Sequence, residues 1–168
     1  MRGCGSSGES CLPISSLIVT MQMSDPKVFI DTSILLYLLS ADNHKADRAE
    51  IIVQAGGLIS VQVLNEMANV ARRKLAMSWK EINEVLALIR SVCPTAPLTI
   101  ETHDRGMLVA ERYGLSVYDA MIVSAALLGG CETLYCEDML DGLLIDRQLR
   151  ICNPFIIQAS SDTRLRSS

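Results

Sequence analysis

The sequence has 168 residues, of which 49% are hydrophobic, 20% are charged and 4% are aromatic, and its formal net charge is −4. This length fits one domain able to bury about two thirds of its unfolded surface, and the composition excludes a disordered chain. The excess of acidic residues argues against a general nucleic-acid binder, which would carry a basic surface. Nucleic acid could still bind at a local basic patch if divalent cations neutralised some of the carboxylates. No apolar run approaches the roughly 18 residues that span a bilayer, so no membrane association is expected.

The ends of the chain differ in composition from its middle. The apolar patch near the start is interrupted by Pro13, Ser15 and Ser16, which disfavours a signal peptide. We predict a flexible N-terminal extension at 1–26, a folded domain at 27–156 and a polar C-terminal tail at 157–168.

Short apolar segments alternate with helical patterns through the predicted domain. VFI at 28–30 predicts a buried strand, and Thr32 or Ser33 can cap the helix after it. Further strands are predicted at 58–61, 98–100, the start of 132–139, and 149–155. Helices are predicted at 44–55, 62–76, 79–92 after a Ser78 capping box, 102–113, and after a Ser116 cap. This alternation predicts an α/β fold with a parallel sheet and helices on both faces, which binds ligands beyond the carboxyl ends of the strands.

The six cysteines and two histidines form no zinc motif. Cys131, Cys136 and Cys152 lie in apolar surroundings, which favours reduced cysteines that act as small hydrophobic residues. Reduced cysteines are typical of the cytoplasm, where we expect this protein to be.

Four acids occupy positions where a purely structural chain would more often carry an apolar or capping residue: Asp31, Glu66, Asp119 and Asp138. Each has an ordinary explanation taken alone. Asp31 could cap a helix, Asp119 could complement a helix dipole, and Asp138 could serve a turn. Glu66 could be an exposed helix acid, although it has no basic residue at i+3 or i+4.

Together the four acids favour a metal site. The helix that holds Asp119 is otherwise apolar, which predicts that this carboxylate is buried and therefore paired or metal-bound. Carboxylate oxygens suit Mg²⁺ or Mn²⁺, and such an ion can activate water for attack on phosphorus. The implied chemistry is phosphodiester hydrolysis without a covalent nucleophile.

From about Val28 to Phe155 the chain resembles the PIN-domain family, and within it the VapC-type ribonuclease toxins. The resemblance rests on four stretches: VFIDTSILLYLLS, SVQVLNEMANV, ERYGLSVYDAMIVSAALLGGCETLYCEDMLDG and RICNPF. It implies a three-layer sandwich in which acids at the carboxyl ends of the strands bind Mg²⁺ or Mn²⁺. The positions that match this acidic site are Asp31, Glu66, Asp119 and Asp138.

The resemblance also implies supporting residues and partners. Thr32 and Ser33 match the small polar residues after the first acid, where Ser33 would order a metal-bound water, and Asp141 would be an outer contributor. Many relatives have Ser or Thr at the position of Cys136, and a thiol is the weaker hydrogen-bond partner. The implied partners are an RNA substrate, a second copy in a homodimer, and the cognate antitoxin of a type II toxin–antitoxin pair.

The sequence does not identify the RNA-binding residues. Six basic side chains could guide RNA, although a solvated helix face explains each one alone. They are Lys45, Arg48, Arg72, Arg73, Lys74 and Arg112.

Two alternatives remain open. One is a catalytically degenerate PIN domain that folds but is inert, against which the presence of all four acids argues. The other is a receiver-like signalling or binding module. A receiver-like module would need an acidic neighbour for Asp31, which the sequence lacks. It would also need a lysine near the last strand, and residues 145–155 contain no lysine.

Overall fold

The computed structural model describes residues 27–156, so the predictions for 1–26 and 157–168 lie outside the described residues. Strands and helices alternate along the described chain. The strands are β1 (Val28–Ile30), β2 (Ile59–Ser60), β3 (Thr95–Ala96), β4 (Thr133–Tyr135), β5 (Leu144–Ile145) and β6 (Leu149–Cys152). The α-helices are α1 (Thr32–Leu36), α2 (Asn43–Gln54), α3 (Val61–Arg73), α4 (Trp79–Val92), α5 (Ile100–Tyr113) and α6 (Val117–Leu128), and a 3₁₀ turn at Tyr37–Leu39 follows α1.

The sheet is mostly parallel. Its four main strands lie in the order β1-β4-β6-β5, and only the β5–β6 pair is antiparallel. The parallel pair β2–β3 adjoins β1, because the Ile30 amide donates to the Leu58 carbonyl at 2.9 Å and the Leu58 amide donates to the Val28 carbonyl at 2.8 Å. The predicted α/β class is therefore confirmed.

Burial of β1 explains why both faces of the sheet carry helices. Neighbouring strand residues point to opposite faces, and Phe29 and Ile30 are both 0% exposed. Phe29 lies in register with Leu134 on β4, which lies in register with Ile151 on β6, and both are also fully buried. This apolar layer fixes the place where β1 ends.

Several predicted helix starts are confirmed. Ser78 and Glu81 form the capping box of α4, and Ser116 caps α6. The cap of α1 predicted at Thr32 or Ser33 was wrong, and the alternative that Asp31 caps this helix is confirmed, because Asp31, in extended conformation, accepts from the Ser33 amide. Asp31 therefore directly follows β1 and caps the first turn of α1.

The strand predicted at 98–100 was also wrong. Thr99 and Thr102 form a capping box, so Ile100 begins α5 instead of ending a strand. The strand in this region is Thr95–Ala96, which is too short to show a pattern in the sequence. The edge strand β5 was likewise not predicted.

Helix α6 contains a long buried run, in which every residue from Ala120 to Leu127 is buried. It packs closely on α5, where a Cβ atom added to Gly106 would lie 2.5 Å from Met121 Cε. Within residues 27–156, no helix is both long and apolar enough to cross a membrane.

Candidate active site

Asp31 lies at the carboxyl end of β1 and is held by neutral donors. Its backbone amide donates to the Tyr135 carbonyl at 3.0 Å, which extends the β1–β4 pairing by one residue. Its side chain is buried, and Oδ2 accepts from Ser33 Oγ at 2.7 Å, Cys136 Sγ at 2.9 Å and the Ser33 amide at 3.4 Å. The side-chain donors Ser33 and Cys136 thus both reach Oδ2, and the Thr32 backbone amide also donates to this carboxylate.

Burial makes the Asp31 carboxylate costly to ionise. Desolvation raises the pKa of Asp31, the hydrogen bonds from Cys136, Ser33 and the Thr32 backbone amide oppose this rise, and the charge of Glu66 adds to it. Burial, followed by the charge of Asp31, also raises the pKa of the Cys136 thiol, so Cys136 stays protonated and donates. No ion pair within residues 27–156 involves Asp31.

Glu66 lies beside Asp31. It sits in the second turn of α3, where Oε2 accepts from Thr32 Oγ1 at 3.0 Å and Oε1 accepts from Gln62 Nε2 at 2.7 Å. Thr32, the residue after Asp31, thus holds Glu66 in place through a hydrogen bond. Gln62 was not predicted as part of the site, although its i−4 spacing from Glu66 on one helix face could have indicated it.

The sequence predicted that Asp119 is buried, and this prediction was wrong. The buried face of α6 begins at Ala120, and Asp119 in the first turn is half-buried. Ser116 Oγ donates to Asp119 Oδ2 at 2.7 Å while it accepts from the Asp119 amide at 3.2 Å, which is an ordinary capping arrangement. Because α6 leads into the start of β4 and is about 18 Å long, its first turn lies toward the carboxyl edge of the sheet.

Asp138 and Asp141 follow β4. Asp138 is exposed and lies two residues beyond Cys136, which faces Asp31 across the parallel β1–β4 pair. Asp138 therefore belongs to the same sheet edge as Asp31. Asp141 Oδ1 accepts from the Asn153 amide at 2.8 Å, which ties the turn after β4 to the segment after β6.

A second polar cluster, not predicted from the sequence, adjoins the acids. Lys45 on α2 forms an ion pair with Glu137 and donates to Tyr37 Oη at 2.7 Å, and Tyr37 Oη donates to Glu137. Burial acts to raise the pKa of Glu137, but hydrogen bonds from Lys45 and Tyr37 lower it. Ser33 Oγ accepts from the Glu137 amide at 3.1 Å, so one hydroxyl joins this cluster to Asp31.

The oxygen donors at this edge are of the kind that a hard divalent cation prefers, but within the described residues they do not form a complete set of ligands. None of the ion pairs within residues 27–156 involves any of the four acids, so no Lys or Arg neutralises them. A buried carboxylate with neutral donors on one oxygen is suited to a cation on the other. Across the same residues, however, no three His, Cys, Asp or Glu side chains are grouped closely enough to hold a metal ion. The structure brings Asp31 and Glu66 together, and the full set of four ligands stays a prediction.

The chain belongs to the PIN domain family, whose family model matches residues 28–142, more than half of its length. The predicted membership of the PIN-domain family is thereby confirmed. No curated protein matches the sequence.

Solved structures with the same fold include three proteins of low sequence identity. VapC20 from Mycobacterium tuberculosis, described as a sarcin-ricin loop cleaving toxin, has 20% identity and a TM-score of 0.56, with 66% of this chain and 89% of that chain covered. A toxin–antitoxin complex from Klebsiella pneumoniae has 20% identity and a TM-score of 0.59, covering 77% and 99%. FitAcB from Neisseria gonorrhoeae has 13% identity and a TM-score of 0.54, covering 77% and 99%.

Proposed function

We propose that this protein is a metal-dependent endoribonuclease and the toxin of a type II toxin–antitoxin pair. The observation that carries the proposal is the Asp31 carboxylate: it is buried, lacks an ion-pair partner within residues 27–156, and lies beside Glu66 at the carboxyl edge of a PIN-family sheet. A purely structural role would leave a buried carboxylate with no opposite charge, and its hydrogen bonds offset the cost of ionising it only in part. A bound divalent cation would remove that cost.

In this proposal Asp31, Glu66, Asp119 and Asp138 hold Mg²⁺ or Mn²⁺. The ion would lower the pKa of a bound water and stabilise charge on the phosphate that the water attacks. The neutral donors of this chain have a positioning role. Ser33 and Cys136 fix Asp31 through Oδ2 and leave Oδ1 for the ion, while Thr32 and Gln62 fix the two oxygens of Glu66.

The proposed partners are an RNA substrate, a cognate antitoxin and a second copy of the chain, and the proposed location is the cytoplasm. The names of VapC20 and of the Klebsiella pneumoniae complex support the toxin and antitoxin assignments. Exposed apolar side chains on α5 support a further protein contact, since Ile100 is 76% exposed and Leu108 is 64% exposed.

The competing function is an inert PIN domain. The loose grouping of the acids favours this alternative, and the experiment here distinguishes it from the nuclease. We expect purified protein to cleave RNA only with Mg²⁺ or Mn²⁺, and Asp119→Asn to abolish this cleavage while leaving the circular dichroism spectrum unchanged. Asp104→Asn is the matched control, because Asp104 is an exposed acid on α5. Full cleavage by the Asp119→Asn protein would reject the assignment of Asp119, and an inactive wild-type protein with every added metal would favour the inert domain.

A further inference from the structure

We propose that an open hollow beside the acids binds one nucleotide of a single-stranded RNA, with Arg48 on a phosphate and Phe155 against a base. This inference rests on the proposed ribonuclease function and adds a substrate subsite to it. The hollow has a volume of about 340 Å³. One wall is the exposed face of α2 and the other is the segment after β6; the lining residues used below are His44, Asp47, Arg48, Ile51, Phe155 and Ile156.

The hollow lies at the same sheet edge as the acids. Strand β6 runs parallel to β4 and ends at Cys152, so the segment that carries Phe155 leaves the carboxyl edge of the sheet. The Lys45 ammonium lies 5.1 Å from the centre of the Phe155 ring and pairs with Glu137, the residue before Asp138. An RNA strand that reaches Asp138 therefore passes next to the hollow.

Arg48 on the wall of the hollow has its charge available. Lys45, the other basic residue of α2 beside the hollow, is instead paired with Glu137. In the part of the chain that the structure describes, no hydrogen bond or ion pair involves Arg48, which is exposed on the wall of the hollow. A guanidinium of this kind is a good partner for phosphate.

The rest of the lining matches a nucleobase. Ile51 is 57% exposed and Ile156 is 52% exposed, and together with Phe155 they offer an apolar surface to a flat ring. The wall also carries Asp47, which can accept a hydrogen bond from a base amino group, and His44, which can donate one. A nucleotide uses all three kinds of contact: its base meets the apolar surface, its base edge forms hydrogen bonds, and its phosphate meets Arg48.

The size of the hollow favours a nucleotide over a segment of a partner protein. Its volume of about 340 Å³ lies at the lower end of small-ligand clefts, which run from about 300 to 1,000 Å³. A helix with side chains is about 10–12 Å across and would need a longer groove.

The test is single-turnover cleavage of a fluorescein-labelled pool of random-sequence single-stranded RNA, with Mn²⁺ and increasing concentrations of the full-length protein. We expect Arg48→Glu to raise the half-saturating protein concentration about tenfold, the loss of one charge-assisted hydrogen bond. The maximal rate should stay within about twofold of wild type, because Arg48 contacts bound RNA away from the reacting phosphate. The slope of log affinity against log salt should fall by about 1.

Two further variants separate the subsite from general effects. Arg90→Glu is the matched control, because Arg90 is exposed in the last turn of α4, which leads to the start of β3 at the opposite edge of the sheet. Phe155→Leu keeps an apolar side chain but removes the aromatic face, and should weaken binding several-fold with an unchanged circular dichroism spectrum.

The outcomes are distinct. Weaker binding by Arg48→Glu and not by Arg90→Glu supports the subsite. Equal weakening by both variants shows only a general charge effect and overturns it. If wild type cleaves and Arg48→Glu saturates like wild type, the subsite is overturned while the nuclease stands. If wild type does not cleave the pool, the nuclease proposal and the subsite fall together.

Discussion

Replacing Asp31 with Asn separates the structural cost of this carboxylate from its use. The hydrogen bonds that Ser33 and Cys136 donate to the Asp31 carboxylate all end on Oδ2. The single oxygen of Asn can take that place, which keeps the contacts with Ser33 and Cys136. The amide nitrogen then replaces Oδ1 and turns the proposed ion-binding side from an acceptor into a donor.

The effect on stability follows from the direction in which the pKa moves. Burial raises the pKa of Asp31, so between the ordinary Asp value and the raised value the folded protein binds more protons than the unfolded chain. Stability therefore falls as pH rises through this interval, by about 1.36 kcal/mol for each pH unit that separates the two pKa values. Asn carries no charge and avoids this loss. We expect Asp31→Asn to be about 0 to 2 kcal/mol more stable than wild type near pH 7, as is common for replaced active-site charges.

The assay has two arms. Urea unfolding in EDTA, at about pH 4 and about pH 7, gives the free energy of unfolding without a contribution from bound metal. Cleavage of RNA with Mn²⁺ should fall by about 100-fold or more in the Asp31→Asn variant. A loss of more than about 1 kcal/mol near pH 7 would show that the carboxylate stabilises the fold, contrary to the proposed role. Wild-type cleavage by the variant would refute its catalytic use.

Three further results are expected. Phe29→Ala should lower the free energy of unfolding by about 3–5 kcal/mol in urea titrations, because Phe29 is 0% exposed; a loss below about 1 kcal/mol would contradict the described core. Iodoacetamide should label native Cys152, which is half-buried, before Cys136, which is 0% exposed and whose pKa burial raises; mass spectrometry that finds the reverse order would contradict this burial. Gly114→Ala should cost about 1 kcal/mol in thermal unfolding, because Gly114 ends α5 with φ of 68°, and an unchanged midpoint would speak against that cap.

The sequence predicted those parts of the fold that depend on repeated local patterns. The buried strand at Val28–Ile30, the capping box at Ser78 and the helix after Ser116 all follow from spacing and side-chain type. It failed where two local patterns compete. Thr99 and Ile100 fit a strand by β propensity, but a capping box with Thr102 gave a helix instead.

The candidate site was predictable only as separate residues. Asp31 and Glu66 were named as positions of interest, and the sequence does not reveal that Thr32, the residue after Asp31, donates to Glu66 at 3.0 Å. The apolar helix around Asp119 predicted a buried carboxylate there, but a first-turn residue can project beyond the buried face of its helix, and among the described residues Asp31 is the buried acid. The pairing of Lys45 with Glu137 spans 92 residues, so no local pattern indicates it.

The most direct test of the account is diffraction from crystals of this protein soaked in Mn²⁺, collected so that the anomalous signal locates the ion. We expect an ion within coordinating distance of Asp31 Oδ1, with Glu66 as a second ligand and the carboxylates of Asp119 and Asp138 turned toward it. No anomalous peak at the carboxyl edge of β1, or a peak that Asp31 does not contact, would contradict the proposed metal-dependent nuclease.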